Sequence, residues 1–156
     1  MCHRALRYFC LAALLTLSGA RPTLAAIVES TPFSTFGRNE CPLSGGCFVE
    51  FETVPEGHIY DIHNVSCYFS ISNLNARPLY LYFTAADVQS QYGRIHLQPT
   101  RLGVTTTVVT YNATANALVR APAGARLIVN VDRDSSTPGG MPNIDCTISG
   151  MHHTID

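Results

Sequence analysis

His58-Ile59-Tyr60-Asp61-Ile62-His63-Asn64-Val65-Ser66-Cys67-Tyr68-Phe69-Ser70-Ile71-Ser72 is the longest alternation of apolar and polar residues in the chain. Alternation with a period of two is the mark of a strand with one face buried. The phase of this one changes midway. Tyr60 and Ile62 share one parity, and Val65, Cys67, Phe69 and Ile71 share the other. A strand can carry both sets inward only if one residue drops out of the pairing, so a bulge or bend is predicted between Asp61 and Asn64.

The same rhythm recurs on both sides. Ile27 to Phe36 reads as an irregular first strand. Cys47, Val49 and Phe51 alternate with Phe48, Glu50 and Glu52. Leu79, Leu81 and Phe83 oppose Tyr80, Tyr82 and Thr84, and Ile95 and Leu97 mark a short strand over Arg94–Gln98. Val104–Tyr111 is rich in β-branched residues, and Thr114–Arg120 continues it or follows a tight turn at Asn112-Ala113. Leu127, Val129 and Val131 oppose Arg126, Ile128 and Asn130, and Ile144, Cys146 and Ile148 share a face near the end. Turn chemistry separates these runs: Val54-Pro55-Glu56-Gly57, Asn73–Pro78, Ala121-Pro122-Ala123-Gly124, and the Ser-, Pro- and Gly-rich Asp134–Pro142. Only Ala85-Ala86-Asp87-Val88 suggests a helical turn. Many short strands with frequent turns predict an all-β antiparallel sandwich of seven to nine strands, of jelly-roll type or close to it. The two Pro-x-Gly segments resemble each other. Such turns commonly precede strands, which accounts for the likeness better than an internal duplication does.

The N-terminus has its own pattern. Arg4 and Arg7 precede an apolar run over Phe9–Leu17, followed by small residues up to Ala25. That order of charge, short apolar run and small residues predicts a secretory signal peptide over residues 1–25, with cleavage after Ala25 and Ala20 or Ala26 as alternatives. The run is shorter than the ~20 residues a membrane helix needs, and no later stretch is apolar enough to span. The expected domain is residues 26–156, about one ordinary domain.

Within those residues seven Arg and no Lys face eleven Asp and Glu, a formal charge of −4. Nucleic-acid partners need a basic footprint and are not expected. Docking on anionic lipid is not expected either. Four cysteines fall in the domain: Cys41, Cys47, Cys67 and Cys146. An even number in an exported chain reads as two disulfides. The Cys41–Cys47 loop contains Gly45 and Gly46 and can bring its ends together. Cys67 and Cys146 both share parity with core residues. The predicted pairs are therefore Cys41–Cys47 and Cys67–Cys146.

Val54-Pro55-Glu56-Gly57 leading to Val65-Ser66-Cys67, together with Cys146-Thr147-Ile148-Ser149-Gly150, resembles small exported bacterial proteins of uncharacterised function. The resemblance implies a compact β-sandwich and an exported location, and it carries over no catalytic residue.

No motif for catalysis stands out. Ser44-Gly45-Gly46 lacks a strand-to-helix elbow. Ser135 and Ser136 lie in a loop, and Glu50 and Glu52 alternate with core residues as solvent-facing side chains do. Asp132-Arg133-Asp134 with Asp145 lacks the ligand pattern of a calcium loop. His58 and His63 differ in parity and could meet only across a bulge. His152 and His153 are neighbours and diverge, and His96 stands alone. The sequence thus predicts no cofactor, no metal ligand and no enzyme. It predicts a secreted or periplasmic non-catalytic binding or structural domain, with an envelope glycan or protein as partner. Tyr80 and Tyr82, on one face, are the expected ligand surface. The alternative is a small metal-dependent or hydrolytic enzyme built on surface histidines. Asn64-Val65-Ser66 and Asn112-Ala113-Thr114 match the glycosylation sequon, which matters only in a eukaryotic source.

Overall fold

The computed structural model describes residues 26–41, 47–74, 78–133 and 141–156. The predicted signal peptide, the Pro42–Gly46 loop, residues 75–77 of the predicted Asn73–Pro78 turn and residues 134–140, with the candidates Asp134, Ser135 and Ser136, lie outside the described residues. Among the described residues there are nine strands: β1 (Ile27–Cys41), β2 (Cys47–Glu50), β3 (His58–Ile71), β4 (Pro78–Ala86), β5 (Gln91–His96), β6 (Gln98–Val104), β7 (Val109–Ala121), β8 (Arg126–Arg133) and β9 (Met141–Ile155). They form two open sheets, in the orders β1-β9-β3-β7-β6 and β2-β8-β4-β5. Every pairing is antiparallel.

The order follows from one folding scheme. The pairs β1–β9, β2–β8, β3–β7 and β4–β5 join first with last, second with second-last, and so on inward. That is one long hairpin. Rolling it brings β9 beside β3 and β8 beside β4. The result is a jelly roll, with β6 added on the free edge of β7.

The two Pro-x-Gly segments arch from one sheet to the other, β2 to β3 and β7 to β8. Gly57 has φ of 75° and Gly124 of 80°, conformations that glycine adopts without a steric penalty. The arches lie side by side: Gly124 N–H donates to the Val54 carbonyl and Val54 N–H to that of Ala125. Their likeness therefore has a structural use, since both make the same turn at the same end of the sandwich.

The core is the inward parity of both sheets. Val65, Cys67, Phe69, Ile144, Cys146 and Ile148 come from the larger sheet, and Val49, Leu81, Phe83, Leu127, Val129 and Val131 from the smaller. The predicted phase change is real. Both ladders of β3 shift register between Ile62 and Asn64, leaving His63 on the bulge. Gly150 pairs with Ile62 there, and a Cβ on it would collide with the Asp61 carbonyl. The absent side chain lets the backbones close around the bulge.

Several details differ from the sequence reading: the strand expected over Arg94–Gln98 is the end of β5, and a further strand, β6, begins at Gln98. Ala85 and Ala86 belong to β4, not to a helical turn, and Asp87 Oδ1 accepts the N–H groups of Gln89 and Ser90 in the tight β4–β5 turn. The Val104–Tyr111 run is not one strand. It is broken by a turn in which the Thr105 N–H and hydroxyl donate to the Val108 carbonyl and the Val108 N–H donates to Thr105 Oγ1.

Both predicted disulfides are formed. Cys67 and Cys146 are paired neighbours on β3 and β9, with Cα atoms 4.1 Å apart. Cys41 and Cys47 tie the edge strand of one sheet to that of the other, with Cα atoms 5.5 Å apart. Asn39 Nδ2 donates to the Phe48 carbonyl beside them.

Candidate functional site

Three groups of side chains could carry chemistry. The first is the outer face of the four-stranded sheet. Phe48 pairs with Asn130, Asn130 with Tyr82, and Tyr82 with His96. Register alone thus lines up an aromatic ring, an amide, a second ring and an imidazole across all four strands. Tyr80 stands beside this row, opposite Asp132, and is 61% exposed; Phe48 is 50% exposed. The Arg94 guanidinium lies over the Tyr82 ring, 4.4 Å from its centroid, which holds the cation in place on the surface. The shared face expected of Tyr80 and Tyr82 is present. Phe48 and His96, not singled out as ligand-surface residues in the sequence, extend it.

The second group crosses the outer face of the five-stranded sheet. Ser30 Oγ is 2.7 Å from His153 Nδ1, and His153 Nε2 is 3.1 Å from Asp61 Oδ2. Arg120 donates to both Asp61 oxygens at 2.8 Å. Asp61 and His153 are buried, whereas Ser30 and Arg120 are exposed. Hydrogen bonding to Arg120 holds the Asp61 carboxyl below the usual range; burial opposes this, and Arg120 charge and His153 reinforce it. The four residues come from β1, β9, β3 and β7, so no local motif announces them.

The third group lies on the inner face of that sheet, at one end. His58 Nδ1 and His152 Nε2 approach to 2.5 Å. The Tyr60 ring meets the His152 ring edge-on at 5.2 Å, and Phe33 packs on Tyr60 at 4.6 Å. Burial raises the Tyr60 phenol, helped by the Glu52 charge and a hydrogen bond to Glu52. The expected divergence of His152 and His153 is complete, because they serve opposite faces of β9. His58 meets His152 and not His63.

Among the described residues the other acidic candidates do not gather. Glu50 pairs with Arg126 on the smaller sheet, while Glu52 turns to Tyr60. Asp145 pairs with Arg38 on the larger sheet, and Asp132 lies on the smaller. Among the described residues no three or more His, Cys, Asp or Glu converge as a metal cage. Among them, too, no helix is long and apolar enough to cross a membrane. Comparison of the chain with family models, curated proteins and solved structures finds no match.

Proposed function

We propose that this is an exported, non-catalytic binding domain that recognises an envelope glycan through the outer face of its four-stranded sheet. The row Phe48–Asn130–Tyr82–His96, with Tyr80 and Arg94 beside it, carries the reading. Exposed ring faces stack on the apolar faces of sugars, and amide, imidazole and guanidinium groups satisfy hydroxyls and carboxylates. Export is supported by the N-terminal charge-and-apolar pattern and by two disulfides, which persist in oxidising compartments.

Hydrolysis is the second reading, and one observation favours it: the chain of contacts Ser30–His153–Asp61. Arg120 weighs against it. A carboxylate already bonded through both oxygens to a guanidinium stabilises an imidazolium less. The set acts better as a clasp across four strands.

Retention of the mature protein on insoluble peptidoglycan and on neutral polysaccharide tests the proposal. Wild type is expected to be retained, and Tyr82→Ala to lose most of that retention while staying folded. Equal retention of wild type and Tyr82→Ala would overturn the assigned face. Covalent labelling of Ser30 by a fluorophosphonate would overturn the non-catalytic reading.

A further inference from the structure

His58 and His152 lie on adjacent strands, and the ladder makes them diagonal neighbours. Tyr60 pairs with His152, and His58 pairs with Thr154. Residues two apart share a face, so both imidazoles stand on the inner side of the β3–β9 ladder. Their facing atoms are Nδ1 of His58 and Nε2 of His152, 2.5 Å apart, closer than an ordinary hydrogen bond between ring nitrogens. Two imidazole lone pairs that converge repel each other unless a proton or a cation lies between them. The His152 ring is backed by Tyr60, and Tyr60 by Phe33 and Glu52. Both histidines are half-buried, so the pair keeps a side open to solvent.

We propose that His58 and His152 form an open two-ligand site for a divalent transition ion of the Ni2+, Cu2+ or Zn2+ class. With each nitrogen ~2.0–2.1 Å from a tetrahedral ion, the two would stand roughly 3.3 Å apart. The present spacing of 2.5 Å has to open by about 0.8 Å to reach that value, through rotation of the half-buried side chains. Neutral imidazoles with their N–H on the far nitrogens, Nε2 of His58 and Nδ1 of His152, present both lone pairs to the ion. Water completes the coordination, so the ion exchanges readily and can accept a further ligand. Imidazole donors favour Ni2+, Cu2+ and Zn2+ over Ca2+ and Mg2+, and affinity rises from Mn2+ through Co2+ and Ni2+ to Cu2+. The site is separate from the glycan-binding face, which lies on the other sheet.

Titration of the full mature chain, disulfides intact, with Ni2+ and with Zn2+ tests this by calorimetry. One equivalent of either ion is expected to bind at neutral pH. The same ion should raise the unfolding midpoint, because only the folded chain brings the two rings together. His58→Ala is expected to weaken binding by about tenfold or more, since removal of even an outer-shell partner costs ~10–100-fold. His63→Ala and His96→Ala should bind as wild type does. His58 is the first residue of β3 and half-buried, so its replacement leaves the core intact; His152→Ala is a second variant with the same expected loss. Absence of an equivalent of either ion in the wild type would overturn the site. Unchanged affinity in folded His58→Ala, or loss only in His63→Ala or His96→Ala, would also overturn it.

Discussion

The outer faces of the two sheets both carry exposed aromatics, Phe36 and Tyr68 on the larger and Phe48 and Tyr80 on the smaller, and differ in how their polar groups pair. On the five-stranded sheet polar groups satisfy one another across strands. Ser30, His153, Asp61 and Arg120 form one chain; Asn64 bonds Asn116, Ser66 bonds Thr114, and Arg38 grips Asp145 with two hydrogen bonds. On the four-stranded sheet the central row offers aromatic rings to solvent, and its Asn130 amide donates to Thr84 Oγ1. Arg126–Glu50 is its ion pair, set to one side of that row. Cross-strand pairs of the first kind are a usual source of sheet stability. Large exposed aromatics of the second kind add little to stability and suit recognition. Substitutions that break the cross-strand pairs of the first face should therefore cost folding free energy, and, if the second face binds glycan, substitutions there should cost retention instead.

The sharpest contrast concerns the disulfides. Cys67–Cys146 braces the larger sheet from within and closes a loop across 79 residues of sequence, whereas Cys41–Cys47 spans a separation of 6. Loop-closure entropy assigns ~4.5 kcal/mol to the long bridge and ~2–2.5 kcal/mol to the short one. Both Cys67 and Cys146 are also buried, so their loss removes packing as well. The double replacement Cys67→Ala/Cys146→Ala should lower the urea midpoint about twice as far as Cys41→Ala/Cys47→Ala. Equal shifts would mean that the clip between the sheet edges matters more than loop length.

Much of this arrangement was legible in the sequence, for physical reasons. A buried face imposes a period of two, so the inward sets, the bulge near His63 and the core parity of both long-range cysteines could be read directly. Glycine at a left-handed turn is equally local, which made both arches visible. The Thr105–Val108 turn escaped because β-branched residues read as strand even where a threonine hydroxyl bonds the backbone of a turn. The side-chain groups escaped for another reason. Ser30, Asp61, Arg120 and His153 meet only through the order of β1, β9, β3 and β7, and Phe48 meets Tyr82 only through β8. Strand order is set by the rolled hairpin and leaves no trace in any one segment.

Asp61 gives the next effect in size. Asp61→Asn removes the charge that binds Arg120 and His153 and should cost about 1.5–3 kcal/mol at neutral pH, the range for hydrogen bonds to charged groups. Because the folded carboxyl titrates below its unfolded value of about 3.9, wild type holds the whole of this advantage above that pH. The advantage is lost as pH falls through the folded pKa. Denaturation curves of wild type and Asp61→Asn should therefore converge between neutral pH and strong acid. A gap that stays constant with pH would show that packing, not charge, holds the clasp together.

The smallest expected change lies on the other sheet. Tyr80 is 61% exposed and pairs through the backbone with Asp132, so its ring reaches solvent and not the core. Surface substitutions away from buried contacts usually shift stability by no more than ~0.5 kcal/mol. Tyr80→Ser keeps a polar, strand-compatible residue and should leave the urea midpoint within that margin. If the four-stranded face binds glycan, the same variant should lose retention on polysaccharide or peptidoglycan, since one stacking surface beside the Phe48–Asn130–Tyr82–His96 row is gone. A large drop in stability would give Tyr80 a structural role and make the two faces alike. Unchanged stability with unchanged retention would leave Tyr80 outside the binding face and confine that face to the row itself.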